Sequence, residues 1–239
     1  MVQEKKTLII IPAYNEEDNI EKVVDNLIAN FPQYDYIIVN DGSIDHTKQV
    51  CQDRRYQVLN LAINMGIGGA VQTGYRYAWD NGYDMAVQID GDGQHDVSFL
   101  EDMIQYIQEE KADCVIGSRF VEKEGFQSSG LRRIGIRFLS FLGWILTGVR
   151  VKDITSGYRL VNRRFIQVFA QDYPTDYPEP EAMIITAVYG GRIKEYPVVM
   201  RERENGTSSI TLKKSVYYMF KVTLAMLIRR LSFGVRRQK

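Results

Sequence analysis

Short apolar, β-branched runs alternate with helix-like segments over the first half of the chain. The runs have the length of buried strands, and the segments between them repeat apolar residues at helical spacing. The predicted strands are 7–11, 36–39, 57–61, 85–89 and 113–116, and the predicted helices are 17–30, 45–54, 68–81 and 97–109. This alternation predicts an α/β domain whose mainly parallel sheet carries helices on both faces. Ligands of such sheets bind beyond the carboxyl ends of the strands, so functional residues are expected in the loops there.

The alternation stops after residue 117, where two apolar segments of another kind begin. In 131–149, Arg133 and Arg137 belong to a narrow polar stripe at helical spacing, and 216–228 is interrupted by Lys221. Both segments are short and basic for membrane spans, so we expect amphipathic helices that lie in a membrane interface. Two alternatives stay open: either helix could pack on the protein core, and the second could form a dimer contact.

Composition supports one folded domain and gives these two segments a distinct charge. The 239 residues are 45% hydrophobic and 25% charged, which is ordinary for a globular domain and argues against disorder. The net charge is zero, yet 131–152 carries five Lys or Arg and no acid, and 213–239 carries eight and no acid. Basic charge on an apolar helix predicts an anionic membrane surface as partner. No nucleic-acid motif accompanies it, so nucleic acid is not expected.

The two cysteines and the N-terminus suggest a reducing compartment. Cys51 and Cys114 are far apart in apolar or helical segments, which predicts neither a disulfide framework nor a zinc site. Residues 1–6 are polar and lack the order of regions in a secretory signal. We therefore expect a cytoplasmic protein.

Two carboxylates, Asp90 and Asp92, follow the fourth predicted strand and are separated by a glycine. On a turning backbone both can face one hard cation, so they predict a Mg²⁺ or Mn²⁺ site that leaves room for substrate phosphate, with Gln94 beside it. His95 is a further ligand, a hydrogen-bond donor to phosphate or a structural residue, and a lone histidine is more often structural. The alternative for the whole segment is an Asp/Gly turn before a helix that Asp96 caps.

Two further loops suggest a nucleotide site. Asp41, in the turn after the second strand, can accept a hydrogen bond from a nucleobase, although from the spacing alone a turn with a helix cap is the better explanation. The glycine-rich segment 64–70, which includes Gly68, leads to a helix N-terminus that favours phosphate. It lacks the spacing of the Rossmann fingerprint, and no Walker A motif is present.

Taken in order, these loops resemble the inverting family 2 glycosyltransferases of the GT-A fold, and most closely the polyprenyl-phosphate and dolichol-phosphate sugar synthases. The matching segments are Ile-Pro-Ala-Tyr-Asn-Glu-Glu at 11–17, Asn-Asp-Gly-Ser at 40–43, Asn-x-Gly-x-Gly-Gly-Ala at 64–70, Asp-x-Asp-x-Gln-His at 90–95, Gly-Ser-Arg-Phe at 117–120, Asp-Ile-Thr-Ser-Gly-Tyr-Arg at 153–159 and Arg-x-x-Gly-x-Ser at 203–208. The ordered set is far more specific than any one motif. The chain departs from the pattern at Asn40, where Asp is frequent, and at Ser209, where Lys is common.

The resemblance implies a Rossmann-like nucleotide-diphospho-sugar transferase domain at 1–210, with the helix at 131–152 inside it and a basic C-terminal helix and tail at 211–239. It also implies a role for individual positions. The nucleotide-sugar would be held by Pro12, Tyr14, Glu16, Asp41, Gly68 and Asp90, and the metal by Asp90, Asp92 and Gln94. Arg119 and Arg203 would face phosphates, and Asp153 would lie on the acceptor side.

The activity implied is transfer of a sugar from a UDP- or GDP-sugar to a polyprenyl phosphate in cell-wall or polysaccharide synthesis. A hydroxyl acceptor, as on a lipid-linked glycan, would need Asp153 as the base. A phosphate acceptor needs none, and Asp153 would then orient the arginines. A sugar nucleotidyltransferase and a non-catalytic binding module are rivals of other classes. The first usually has a Gly-rich basic loop after its first strand, where this chain has 12–17.

The resemblance also bears on location. Bacterial relatives often end in two membrane-spanning helices, whereas this sequence stops soon after Arg230. We therefore expect peripheral association with the inner face of the cell membrane. A small membrane protein or a second copy of the chain could share the anchoring.

Overall fold

The computed structural model describes residues 5–122, 130–200 and 212–236. In this part of the chain, seven strands form one sheet with helices on both faces. The strands are β1 Thr7–Ala13, β2 Asp35–Asn40, β3 Val58–Asn60, β4 Met85–Gln88, β5 Cys114–Ser118, β6 Arg159–Asn162 and β7 Ile193–Pro197. The helices are α1 Ile20–Asn30, α2 Thr47–Asp53, α3 Gly66–Asp80, α4 Leu100–Glu109, α5 Gly130–Thr147, α6 Arg163–Gln171, α7 Pro178–Val188 and α8 Leu212–Arg236, with a 3₁₀ turn at Val97–Phe99 before α4.

The sheet has the order β3-β2-β1-β4-β6-β5-β7 and is mainly parallel, which confirms the predicted architecture. β1 lies at its centre, where Leu8 pairs with Asp35 of β2 and with Ala86 of β4. β6 alone among these strands runs against its neighbours β4 and β5. Its first residue therefore lies at the edge where the parallel strands end.

The continuous apolar run of β1 fills two core layers. Leu8 and Ile10 belong to the layer that packs against α3 and α5–α8, while Ile9 and Ile11 belong to the layer under α1 and α4. All four are fully buried, as expected for a strand covered on both faces. On one side α3 approaches so closely that a Cβ on Gly74 would lie 2.3 Å from Cγ2 of Ile10.

The sequence pattern did not predict β6, β7, α6 or α7. β6 is only four residues long, begins with Arg159 and is followed directly by Arg163 and Arg164. Because the charged residue Arg159 occupies a buried position in the sheet, this strand lacks the continuous apolar run that marks the other buried strands. Tertiary burial has overridden local pattern here.

The two basic segments form helices that lie side by side. A Cβ on Gly135 of α5 would touch Sδ of Met219 in α8, and one on Gly143 would lie 3.6 Å from Cε of Met226. Because both contacts advance in the same direction, α5 and α8 run parallel. The inner face of each helix reaches the core layer beneath α7. The expectation that these segments could pack internally is therefore correct for one face of each helix.

The outer faces of α5 and α8 carry large apolar side chains at helical spacing. The exposed ones are Ile134, Phe138, Phe141, Trp144 and Ile145 on α5, and Tyr217, Phe220, Leu224, Leu227, Ile228 and Leu231 on α8. We call this surface the helix-pair face. None of the helices in the described ranges has both the length and the apolar character needed to cross a bilayer.

Candidate active site

The carboxyl ends of β1 and β2 carry two loops that hold each other in place. Asn15, in the left-handed conformation with φ 56°, donates its backbone N–H to Oγ of Ser43 at 3.0 Å, and its side-chain oxygen accepts from the backbone N–H of Ile44 at 3.0 Å. The backbone N–H of Glu16 donates to Oγ1 of Thr47 at 2.8 Å. Segment 12–17, which the sequence linked to nucleotide binding, is therefore fixed on the loop after β2.

Asp41 lies at the bottom of this loop pair and is 2% exposed. One of its carboxylate oxygens accepts the backbone N–H of Met65 at 2.7 Å, just before α3. Burial raises the pKa of Asp41, and this hydrogen bond partly offsets the effect. The residue links the loops after β2 and β3.

The loop after β4 carries Asp90 and Asp92, and it packs against segment 12–17. A Cβ on Gly91 would lie 3.1 Å from the carbonyl oxygen of Pro12 and 3.7 Å from Cγ of Glu16. The predicted donor-side residues are thus brought together at one edge of the sheet.

Each of the two carboxylates is oriented by a local hydrogen bond. Oδ1 of Asp90 accepts from the side-chain amide of Gln88 at 3.2 Å, and Oδ1 of Asp92 accepts from the backbone N–H of Gln94 at 3.0 Å. Asp90 is about one-third exposed at its side chain, at 32%. Asp92 and Gln94 are also partly exposed.

His95 supports this loop from the inside. Its Nδ1 accepts the backbone N–H of Asp90 at 3.0 Å, so the proton of the neutral ring is on Nε2. The ring is 6% exposed and stacks on Tyr158, with centroids 5.1 Å apart. Of the roles that the sequence left open for His95, this geometry favours the structural one. Met200 forms a backbone bridge with His95, and Arg203, three residues further along the chain, lies outside the described residues.

The donor set at this loop suits a hard divalent cation that is completed by substrate. Among the described residues, no group of three or more His, Cys, Asp or Glu side chains is arranged to hold a metal. Mg²⁺ and similar ions need no such cage, because they are commonly held by one or two carboxylates together with substrate phosphates. Asp90 and Asp92, both partly exposed on one tight turn, fit that mode.

On the acceptor side, Arg119 and Asp153 form a buried ion pair. Nε of Arg119 donates to Oδ2 of Asp153 at 2.7 Å, and Nη2 donates to Oδ1 at 2.7 Å. The backbone N–H of Arg119 also donates to Oδ2, at 3.1 Å. Asp153 is 0% exposed, and its own backbone N–H donates to Glu195 at 2.9 Å. Such a bidentate pair fixes the guanidinium plane.

The structure differs from expectation at Gly68. Its backbone N–H donates to the carbonyl of Thr175 at 3.1 Å, and a Cβ would lie 1.9 Å from the carbonyl oxygen of Pro174. The N–H predicted to face phosphate therefore serves the packing of the loop before α7. Glycine is required here because backbone approaches backbone.

The remaining predicted residues differ in accessibility. Tyr14 is 44% exposed and can contact a ligand, whereas Pro12 is buried at the end of β1. Glu16 is partly exposed, and its carboxylate accepts from the side chain of Asn19 at 2.8 Å.

A groove opens beside the acceptor-side pair, and we call it the basic groove. Its volume is about 590 Å³, and it lies between α5 and the segment that follows it. Its lining includes the cations Arg133, Arg137, Arg150 and Lys152 and the aromatic side chains Phe120, Phe141 and Trp144. Arg119 lies over the ring of Phe120, 5.3 Å from its centroid, and because Phe120 lines the groove, the ion pair adjoins it.

Sequence reasoning found the charge of this groove but not its shape. The basic character of 131–152 was visible in the sequence, whereas Arg150 lying over Trp144 at 4.5 Å depends on how the chain turns after α5. Two further residues behind the site, Arg159 and Glu179, were not assigned a role. Only the motif at 153–159 pointed to the first of them.

Solved structures identify the class to which this fold belongs. The glucosyl-3-phosphoglycerate synthase of Mycobacterium tuberculosis, solved with Mn²⁺, uridine diphosphate and glucosyl-3-phosphoglycerate, superposes with a TM-score of 0.71 over 95% of this chain and 80% of that one. At 19% identity this likeness establishes the fold, which is the GT-A fold of glycosyltransferases.

Sequence comparison then gives the family. The model described as glycosyl transferase family 2 matches residues 8–169, and the chain belongs to that family. A UDP-N-acetylglucosamine–dolichyl-phosphate N-acetylglucosaminyltransferase of Methanococcus voltae is 33% identical, over 82% of this chain and 85% of its own length. An undecaprenyl-phosphate mannosyltransferase of Micrococcus luteus is 31% identical, over 86% and 88%.

Proposed function

We propose that this glycosyltransferase moves a sugar from a nucleoside diphosphate sugar to a polyprenyl phosphate at a membrane surface. The observation that carries the proposal is the basic groove, which adjoins Arg119 through Phe120 and combines four cations with three aromatic side chains. Cations suit a phosphate, and the aromatic walls suit the hydrocarbon attached to it. The names of the relatives from Methanococcus voltae and Micrococcus luteus support this acceptor class.

The ion pair favours a phosphate over a hydroxyl as the acceptor. A base must be accessible to the proton that it removes, but Asp153 is fully buried and both its oxygens accept from Arg119. A phosphate is already an anion and needs no base. Asp153 then orients Arg119, which agrees with the second of the two roles considered from the sequence.

On the donor side, Tyr14, Glu16 and Asp41 would contact the nucleotide. The metal would be held by Asp90 and Asp92, with Gln94 beside them. A bound Mg²⁺ or Mn²⁺ would supply positive charge to the departing diphosphate.

The transfer itself needs few residues. An oxygen of the acceptor phosphate forms a bond to the anomeric carbon while the bond from that carbon to the diphosphate oxygen breaks, and the electron pair leaves with the nucleoside diphosphate. Attack from the opposite face inverts the configuration. Arg119 would stabilise the acceptor phosphate, and Arg203 would contribute a second cation.

The helix-pair face would hold the enzyme on the bilayer. It presents apolar side chains next to the basic groove, as expected for helices that lie in a membrane interface. Peripheral association with the cytoplasmic face, alone or with a partner protein, is therefore part of the proposal.

The test is a transfer assay with purified protein, undecaprenyl phosphate and a panel of UDP- and GDP-sugars, with Mg²⁺ or Mn²⁺ present or chelated. We expect a glycolipid from at least one donor, detected by mass spectrometry of the lipid extract. Undecaprenol, which lacks the phosphate, is the matched control and should give no product. Product that forms only on a lipid-linked glycan would contradict the proposal and support a hydroxyl acceptor.

A further inference from the structure

Arg159, the first residue of β6, is a buried cation for which the proposed reaction has no direct use. It is 1% exposed. Removing a guanidinium from water is costly unless hydrogen bonds and an opposite charge compensate. The location of its donors therefore indicates what the side chain does.

The side chain of Arg159 donates two hydrogen bonds to backbone carbonyls of one short segment. Nε donates to the carbonyl oxygen of Ser156 at 2.9 Å, and Nη2 donates to that of Ile154 at 2.8 Å. The planar, forked guanidinium holds two acceptors in a fixed geometry, which the single ammonium of lysine cannot do. These two hydrogen bonds therefore hold segment 153–157 in place.

This segment touches both halves of the active site. At one end Asp153 pairs with Arg119. At the other end a Cβ on Gly157 would lie 3.0 Å from the amide nitrogen of Gln88 and 3.3 Å from Oδ1 of Asp90. Its position therefore affects the separation of the donor side from the acceptor side.

The opposite charge comes from the first turn of α7. Burial raises the pKa of Glu179, and the nearby positive charge of Arg159 acts in the other direction, so the two groups are close enough to interact. The carboxylate of Asp90 also raises this pKa, which puts Glu179 within electrostatic range of the donor side.

We propose that Arg159, balanced by Glu179, is a positioning residue that sets the placement of segment 153–157, and through it the alignment of the acceptor phosphate with the donor. This inference rests on the proposed function for its catalytic consequence. The effect of Arg159 on segment 153–157 can be measured without an activity assay.

The first experiment measures hydrogen–deuterium exchange in the full chain. In Arg159→Lys we expect faster exchange in peptides that cover 153–158, with β1 and β4 unchanged. The matched control is Arg163→Lys, because Arg163 also donates to a carbonyl, that of Tyr83, but away from the site. Unchanged exchange at 153–158 in Arg159→Lys would overturn the proposal.

The second experiment measures the kinetics of transfer to undecaprenyl phosphate. A misplacement of about 1 Å can cost roughly 100-fold in rate, so Arg159→Lys should lower kcat by about that factor. KM for the donor should stay within about twofold of the wild-type value, and so should the thermal shift produced by the nucleoside diphosphate. Equal losses of donor binding and kcat would indicate a general structural role and contradict the proposal.

A second variant covers the case in which the lysine variant does not fold. Arg159→Met combined with Glu179→Gln removes both charges and leaves no unpaired ion, so it should fold and show the same kinetic change. If neither variant folds, the pair serves the fold and the proposal is overturned. If wild-type protein transfers no sugar but the exchange result holds, only the proposed function fails.

Discussion

The buried ion pair of Arg119 and Asp153 determines the role that each residue can have in sugar transfer. Asp153→Asn should lower transfer to undecaprenyl phosphate because Arg119 loses its charge partner. The shape of the pH–rate profile should stay the same, since no base is being removed. The measurement is kcat/KM against pH for both proteins. Loss of the acidic limb in the variant would instead identify Asp153 as a base.

Asp92 is expected to act through the metal. A nucleoside diphosphate present at 100 times its Kd should stabilise the wild-type protein by about 2.7 kcal/mol. In Asp92→Ala we expect the part of this stabilisation that depends on Mn²⁺ to disappear, as read from Tm with and without the ion. Asp96→Ala, which alters the cap of the following turn, is the control. An unchanged Mn²⁺ dependence in Asp92→Ala would contradict the assignment.

Asp41 should make the affinity for the nucleotide donor depend on pH. Because burial raises its pKa, Asp41 gains a proton at higher pH than an ordinary aspartate does. A protonated carboxyl accepts less well from a nucleobase, so donor affinity should fall as the pH drops through this raised pKa. In Asp41→Asn that pH dependence should be absent, as measured by nucleotide titration. An identical pH dependence in both proteins would exclude Asp41 as its source.

At the scale of elements, the contact between α3 and the loop before α7 is the most sensitive to a single methyl group. Gly68→Ala would place Cβ 1.9 Å from a backbone oxygen, so we expect a loss of about 1–3 kcal/mol in the free energy of unfolding. Gly130→Ala, in α5, meets nothing within 4 Å and is the control. Urea denaturation measures both. Equal stability of the two variants would show that the loop adapts without cost.

The parallel strands β1 to β5 and their loops could be predicted from their apolar runs, whereas the parallel strand β7 was missed because Lys194 and Glu195 interrupt its apolar pattern. The same rule failed for β6, where Arg159 occupies a buried position and the functional segment precedes the strand instead of following it. The prediction that Gly68 faces phosphate is uncertain from sequence for a similar reason. A glycine in the first turn of a helix allows either a bound ligand or another backbone segment to come close. Only the position of Thr175 distinguishes them.

At the scale of the whole molecule, the helix-pair face should govern membrane binding. Phe138→Ser together with Phe220→Ser removes two large exposed side chains, each contributing about 1.5–3 kcal/mol when fully buried. We expect clearly weaker sedimentation with vesicles that contain phosphatidylglycerol, and unchanged Tm. Ile28→Ser, on α1 and 43% exposed, is the matched control. Equal binding by all three proteins would exclude this face.

The reversed direction of β6 also limits how the chain can vary in length. Side chains alternate between the two faces of a strand, so Arg159 and Val161 point one way while Tyr158 and Leu160 point the other. Insertion or deletion of one residue in 153–157 would slide the strand by one position and exchange a guanidinium with an apolar side chain in a closed interior. A surface turn usually tolerates such changes, but segment 153–157 must keep its number of residues so that Arg159 stays on its side of the sheet.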